Sequence, residues 1–200
     1  MEALLKLSTW IDAATERIGS ATYWLTLAAV LISAGNAIIR YSFNISSNAW
    51  LELQWYLFSA VFLFCGGYAL LHGSHVRIDV VYGRFTRKTQ LWIDVFGTVF
   101  FLLPMAILLM KLSWPVFMNA YVGNEVSSNA GGLVVWPARL MIPIGFFLLT
   151  VQGISELIKK VAIIQGRIPD PALAGHGPTA EEELAREIAA QREKQAPWAN

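Results

Sequence analysis

His72, His75 and Asp79 stand three and four residues apart in the stretch LLHGSHVRIDVVYGRFTRK, residues 70–88. Metal ligands use such spacing, and a metal bound here would make the chain a small integral membrane enzyme. Zinc takes three or four ligands, steadied by an outer ring of hydrogen-bond partners. The surroundings argue against that chemistry. Arg77 intrudes among the three candidates, the chain's single cysteine, Cys65, is not close by, and the remaining histidine, His176, lies in the tail. Val76, Ile78 and Val80 alternate with Arg77 and Asp79, which predicts extended or interfacial backbone on which the ligands diverge. No nucleophile–base pair stands out, and no G-x-x-x-x-G-K-[ST] phosphate loop is present. The expectation is a chain with no catalytic residues, no metal, no cofactor and no enzymatic activity.

The elements around this stretch decide its setting. The 200 residues are 56% hydrophobic and 14% charged, with a mean hydropathy of +0.49. A soluble domain is about a quarter charged. Four apolar runs, at about 20–39, 53–71, 91–114 and 133–158, approach the roughly 20 residues needed to cross about 30 Å of hydrocarbon. The fold class is therefore an all-α integral membrane protein with four transmembrane helices. A net charge of +1 gives no electrostatic case for nucleic acid. The first run is read as retained, because Glu2 spoils the basic region that a cleavable signal needs.

Cations near the span ends set orientation. Lys6, Arg17, Arg77, Arg84, Arg87, Lys88, Lys159, Lys160 and Arg167 fall on one side, against Arg40, Lys111 and Arg139 on the other. Both termini and the 70–88 stretch are thus expected in the cytoplasm, with the connections at 40–52 and 115–138 facing outward. Trp50, Trp55, Trp114 and Trp136 mark the outer boundary, and Trp10 and Trp92 the inner one.

Residues 1–19 carry Leu4, Leu7, Ile11, Ala14 and Ile18 at helical spacing, with Glu2, Lys6, Asp12, Glu16 and Arg17 on other faces. This predicts an amphipathic helix, preferably lying in the inner interface and otherwise extending the first span. The four spans make one domain over 20–165. Residues 166–178, GRIPDPALAGHGP, cannot propagate a helix. Thr179 and Glu182 then form a capping-box pattern, so 166–200 reads as a linker and a charged cytoplasmic helix.

Ionisable groups inside a membrane are the usual functional candidates, and these spans have almost none at mid-depth. Asp94 and Lys111 lie toward span ends, while Asn36, Gln54 and Gln152 are neutral and suited to knitting helices together. Pro104 and Pro143 occur singly, unlike the paired broken helices that hold a transporter's own substrate. The spans predict a helical partner without a substrate site of its own.

Three landmarks resemble one family. In RYSFNISSNAWLELQWYLF (40–58), Arg40, Trp50, Glu52, Trp55 and Tyr56 match a hairpin between spans one and two. His75, Val76, Arg77 and Asp79 match an H-V-R-x-D signature, and GGLVVWPARLMIPIGFFLL (131–149) matches a G-G-L-x-x-W-P run followed by P-x-G. Together they are similar to the small membrane subunit of tripartite ATP-independent periplasmic (TRAP) transporters, the DctQ-type component. Val134 replaces a common proline, and Glu52 stands alone where the family often has two acids.

The resemblance implies a division of labour. A periplasmic binding protein captures an organic acid, here of keto acid or related carboxylate class. A large membrane subunit carries it by an elevator motion driven by a sodium gradient. The small subunit, in the bacterial inner membrane and surrounded by lipid, is part of the static scaffold. Arg40, Trp50, Glu52, Gln54, Trp55, His75, Arg77 and Asp79 are then candidates for organising the hairpin or contacting the large subunit. Arg40 and Glu52 could pair across the hairpin, or snorkel independently. Glu125, the flexible Gly131–Gly132 pair and Trp136 mark the candidate loop for contact with the binding protein. A membrane anchor for another complex is the alternative role.

Overall fold

The computed structural model describes residues 1–45, 47–73 and 85–170. All four expected spans lie in long helices. Helix α1, Glu2–Phe43, runs 42 residues, about 63 Å at 1.5 Å per residue, and stops at Asn44, whose φ of 58° is left-handed. Helix α2 is Asn48–Leu71 and returns antiparallel to it. Next comes one rod, Arg87–Val122, made of α3 (Arg87–Gly97), a π-helical turn (Thr98–Leu102) and α4 (Leu103–Val122). Helix α5, Trp136–Ile164, completes the set.

Local chemistry explains the irregular turn. Pro104 has no N–H for the carbonyl four residues back, so the ladder widens there to i→i+5 bonding. Thr98 Oγ1 also donates to the Asp94 carbonyl at 2.8 Å, a bond that competes with regular helix.

The α1 helix corrects one expectation. No break separates residues 1–19 from the first span, so the amphipathic stretch extends that span and is not a separate helix on the membrane surface. Its faces also point opposite to those of a water-soluble helix. Ser8, Thr15 and Gly19 are buried against neighbouring helices, while Leu4, Leu7 and Trp10 are exposed, Trp10 by 78%.

Helix α5 is the hub. It packs on α1, α2 and the α3–α4 rod, and 33% of its most apolar stretch is buried, against 11% in each other span. The result is an open layer of helices around α5. Small residues allow its close contacts, since lipid supplies no hydrophobic drive between helices. A Cβ on Gly145 would sit 2.7 Å from Leu63 Cβ and 3.0 Å from the Leu63 carbonyl oxygen, and one on Gly153 would sit 2.7 Å from Leu102 Cδ2. The buried apolar residues include Ala29, Ala60, Ala106, Ala120 and Ala162, whereas Phe62, Phe100, Phe101, Met105 and Leu108 face outward. Gly145→Leu is therefore expected to prise α2 from α5 and destabilise the chain by about 1–3 kcal/mol. Thermal melting in detergent measures this, with Gly35→Leu, where a Cβ meets nothing, as the tolerated comparison.

Candidate functional site

Two polar constructions sit at opposite ends of the layer. The first is at the hairpin end, where the α1–α2 turn meets the loop between α4 and α5. Residues 123–135 fold on themselves: Val126 bridges Val134, Ser127 N donates to the Leu133 carbonyl at 2.9 Å, and Val135 N donates to that of Glu125 at 2.9 Å. Gly131, at φ 71°, makes the tight turn.

Helix α2 holds this loop through one face. Asn48, Glu52 and Tyr56 recur every four residues and so line up. Glu52, only 4% exposed, accepts hydrogen bonds from Ser127 Oγ, from Asn129 Nδ2 at 2.8 Å and from Leu133 N at 2.7 Å. Asn48 Nδ2 donates to the Ala130 carbonyl at 2.9 Å, and Tyr56 OH to the Val134 carbonyl at 3.0 Å. Arg139 grips Glu125 with both terminal nitrogens, at 2.5 and 2.6 Å, and the Trp136 ring meets Tyr121 edge-on at 5.5 Å.

Several expectations change here. Glu52 does not pair with Arg40 across the hairpin; its partners all come from the loop. Arg40 instead lines a cleft between α1 and α2, together with Gln54. Trp50 and Trp55 are half or more exposed at this end. Gly132 is required by close approach and not by flexibility, because a Cβ there would lie 2.8 Å from Glu52 Oε1 and 2.6 Å from Ser127 Cβ. The candidate contact residues Glu125, Gly131, Gly132 and Trp136 thus sit in or beside a braced loop.

The second construction joins α1 to α5 at the opposite end. Gln152 is completely buried. Its Oε1 accepts from Thr15 Oγ1 at 2.7 Å, and its Nε2 donates to Asp12 Oδ1 at 2.9 Å and Glu156 Oε1 at 3.3 Å. Ser155 Oγ donates to the same Asp12 oxygen at 2.7 Å and lies 2.7 Å from Ser8 Oγ. Lys159 Nζ reaches Asp12 Oδ2 at 2.9 Å and also Glu156. Lys160 pairs with Asp94 at 3.0 Å, tying the rod to α5. Arg87 binds Asp170 through two nitrogens, at 2.5 and 2.9 Å.

Gln152 was legible as a helix-knitting residue. By sequence Asp12 is only part of a polar face and Lys159 only an orienting cation, with nothing to join them to Ser155 and Glu156, although Ser8, Asp12, Thr15 and Gly19 form a small polar stripe at helical spacing. His72, the first of the three ligand candidates, caps α2 and places Nε2 2.8 Å from Glu16 Oε2, with its ring 4.3 Å from that of Tyr68. His75, Arg77 and Asp79 lie outside the described residues. Among the described residues no group of three His, Cys, Asp or Glu side chains converges as metal ligands would.

Both constructions brace helices and loop against one another. Comparison with family models matches residues 29–162 to the DctQ component of tripartite ATP-independent periplasmic transporters. Comparisons with curated proteins and with solved structures give no match. The matched segment includes the hairpin, the braced loop and nearly all of α5. Among the described residues, four long apolar helices joined by buried polar contacts make the architecture of a multi-pass membrane protein, and this chain belongs to the DctQ family, as a small membrane component of a TRAP transporter.

Proposed function

We propose that the chain is the static scaffold beside a large elevator-type subunit. In this reading sodium-gradient-driven uptake delivers an organic acid, of keto acid or related carboxylate class, from a periplasmic binding protein. The observation that carries the proposal is the distribution of polarity: the buried polar side chains, Gln152 and Thr15 among them, pair between helices, and large apolar ones line the outside of the layer. A sliding transport domain needs an immobile flank with that exterior. The braced 123–135 loop is the surface offered to the binding protein, because a fixed loop meets a partner without an ordering cost. Substrate and sodium sites belong to the large subunit.

Affinity purification of the tagged chain from its native membrane tests the assignment. A large polytopic chain is expected to co-elute in stoichiometric amount, and recovery of the tagged chain alone would defeat the scaffold reading.

The proposal places the chain in the bacterial inner membrane with both termini in the cytoplasm. Reporter fusions before Met1 and after Asp170 should then be active only in cytoplasmic form, and a fusion within 123–135 only in exported form. The reverse pattern would invert the topology and remove that loop from the binding protein's side.

A further inference from the structure

At the hairpin end, α1 and α2 diverge around a cleft of about 580 Å3 lined by Ser33, Asn36, Arg40, Tyr41, Asn44 and Gln54, with two apolar neighbours. Among the described residues that line it, Arg40 is the sole cation and none is a carboxylate. Among the described residues, the side chains of Asn36, Arg40 and Gln54 have no hydrogen-bond or ion-pair partner. The recess therefore presents a guanidinium fork and two amides, all with unused donors, around a space that carries one positive charge. A single-charged oxyanion is the complementary ligand, and the planar fork suits two oxygens of a phosphate.

The position of the cleft selects the kind of phosphate. Exposed Trp50 and Trp55 mark the headgroup level at this end. One turn deeper on α1 lies exposed Val30, three residues before Ser33; on α2, Phe58 and Phe62 follow Gln54 by four and eight residues and are also exposed. These positions continue the cleft as an apolar track running into the hydrocarbon. Free phosphate would use the polar recess and leave that track idle, whereas a phospholipid uses both.

We infer that the cleft is a phospholipid site: Arg40 grips the phosphodiester, Asn36 and Gln54 donate to its oxygens, and an acyl chain lies along Val30, Phe58 and Phe62. The inference does not depend on the transported substrate or on the binding protein.

Native mass spectrometry tests it on the full chain, extracted with its co-purifying partners and titrated with dioleoyl phosphatidylglycerol in decyl maltoside. Arg40→Gln should weaken lipid binding about tenfold, the loss expected of a hydrogen bond to a charged group. Arg40→Lys, which keeps the charge but loses the fork, should fall between. Arg17→Gln, an exposed cation on the same helix near its other end, should bind as the unaltered chain does. Inorganic phosphate alone should fail to displace the lipid. Since Arg40 is exposed, unchanged helicity by circular dichroism will show that the variants fold. Equal binding by Arg40→Gln, equal losses in Arg40→Gln and Arg17→Gln, or displacement by inorganic phosphate would each overturn the site. Loss of a co-eluting subunit with lipid binding intact would also overturn it, and would assign the cleft to a protein carboxylate.

Discussion

Glu52→Ala is expected to release the 123–135 loop from α2 and to lower uptake by the assembled transporter about tenfold or more, while the chain still inserts in the membrane. The carboxylate is the one acceptor shared by Ser127, Asn129 and the Leu133 backbone N–H. Alanine leaves all three donors without it, in a spot where water has little access, since Glu52 is 4% exposed. Losing one hydrogen bond to a charged group already shifts such a balance about tenfold. What then remains between loop and α2 are the single bonds from Asn48 and Tyr56. The loop's internal bridge between Val126 and Val134 would persist, so the loop should move as a piece. Limited proteolysis reads this directly: cleavage within 123–135 should appear at protease levels that leave the unaltered chain intact. Glu52→Gln should fail as well, because one carboxylate oxygen becomes an NH2 group facing donors. Glu125→Ala makes the contrast. It removes only the exposed pair with Arg139, a kind of contact that contributes about 1 kcal/mol or less. An intact loop in Glu52→Ala would contradict the bracing role.

Gln152→Leu is the second large effect. Gln152 is completely buried and joins three side chains, two of them on α1. Interhelical hydrogen bonds in membranes average about 0.6 kcal/mol and reach about 2 kcal/mol. Breaking the bonds to Thr15 and Asp12 should therefore destabilise the α1–α5 contact by about 1–4 kcal/mol. Leucine also leaves the Thr15 hydroxyl without its acceptor. The change should be local, because the rest of α1 stays packed on α2. Hydrogen exchange is expected to accelerate over residues 2–19 and to stay slow toward Phe43. Thr9→Ala, on an exposed residue bonded only to the Lys6 carbonyl, should change stability by no more than about 0.5 kcal/mol. Uniform exchange along α1 in the Gln152→Leu variant would show that the network does not hold the helix.

The two sites differ in how far the sequence revealed them, and the reason is physical. Spans can be read because crossing hydrocarbon demands a long apolar run. Which side of a span faces another helix cannot be read from apolarity, since lipid and protein interior are alike in that respect. The 1–19 stretch shows the consequence. Its apolar stripe suggested a helix lying on the membrane, but Ser8, Asp12 and Thr15 are the residues that pack, against α5, and Leu7 and Trp10 face out. By sequence Glu52 is a single acid at a span end, and pairing with nearby Arg40 or independent snorkelling are both open to it. Its actual partners, Ser127, Asn129 and Leu133, are 75 to 81 residues away. Only the return of the chain through α4 to the hairpin end brings them together. The Gly131–Gly132 pair looked flexible for the same reason, since the Glu52 oxygen that crowds Gly132 comes from a distant helix.

The central claim is that this chain braces a transporter and conducts nothing by itself. Uptake into sodium-free proteoliposomes under an inward sodium gradient measures it most directly, using the chain alone, the co-purified large subunit alone, and the two together, each with the binding protein and a labelled keto acid. The scaffold account predicts background uptake for the chain alone and sodium-dependent uptake when both membrane chains are present. Solute flux through liposomes that hold this chain alone, or full uptake by the large subunit without it, would contradict the account.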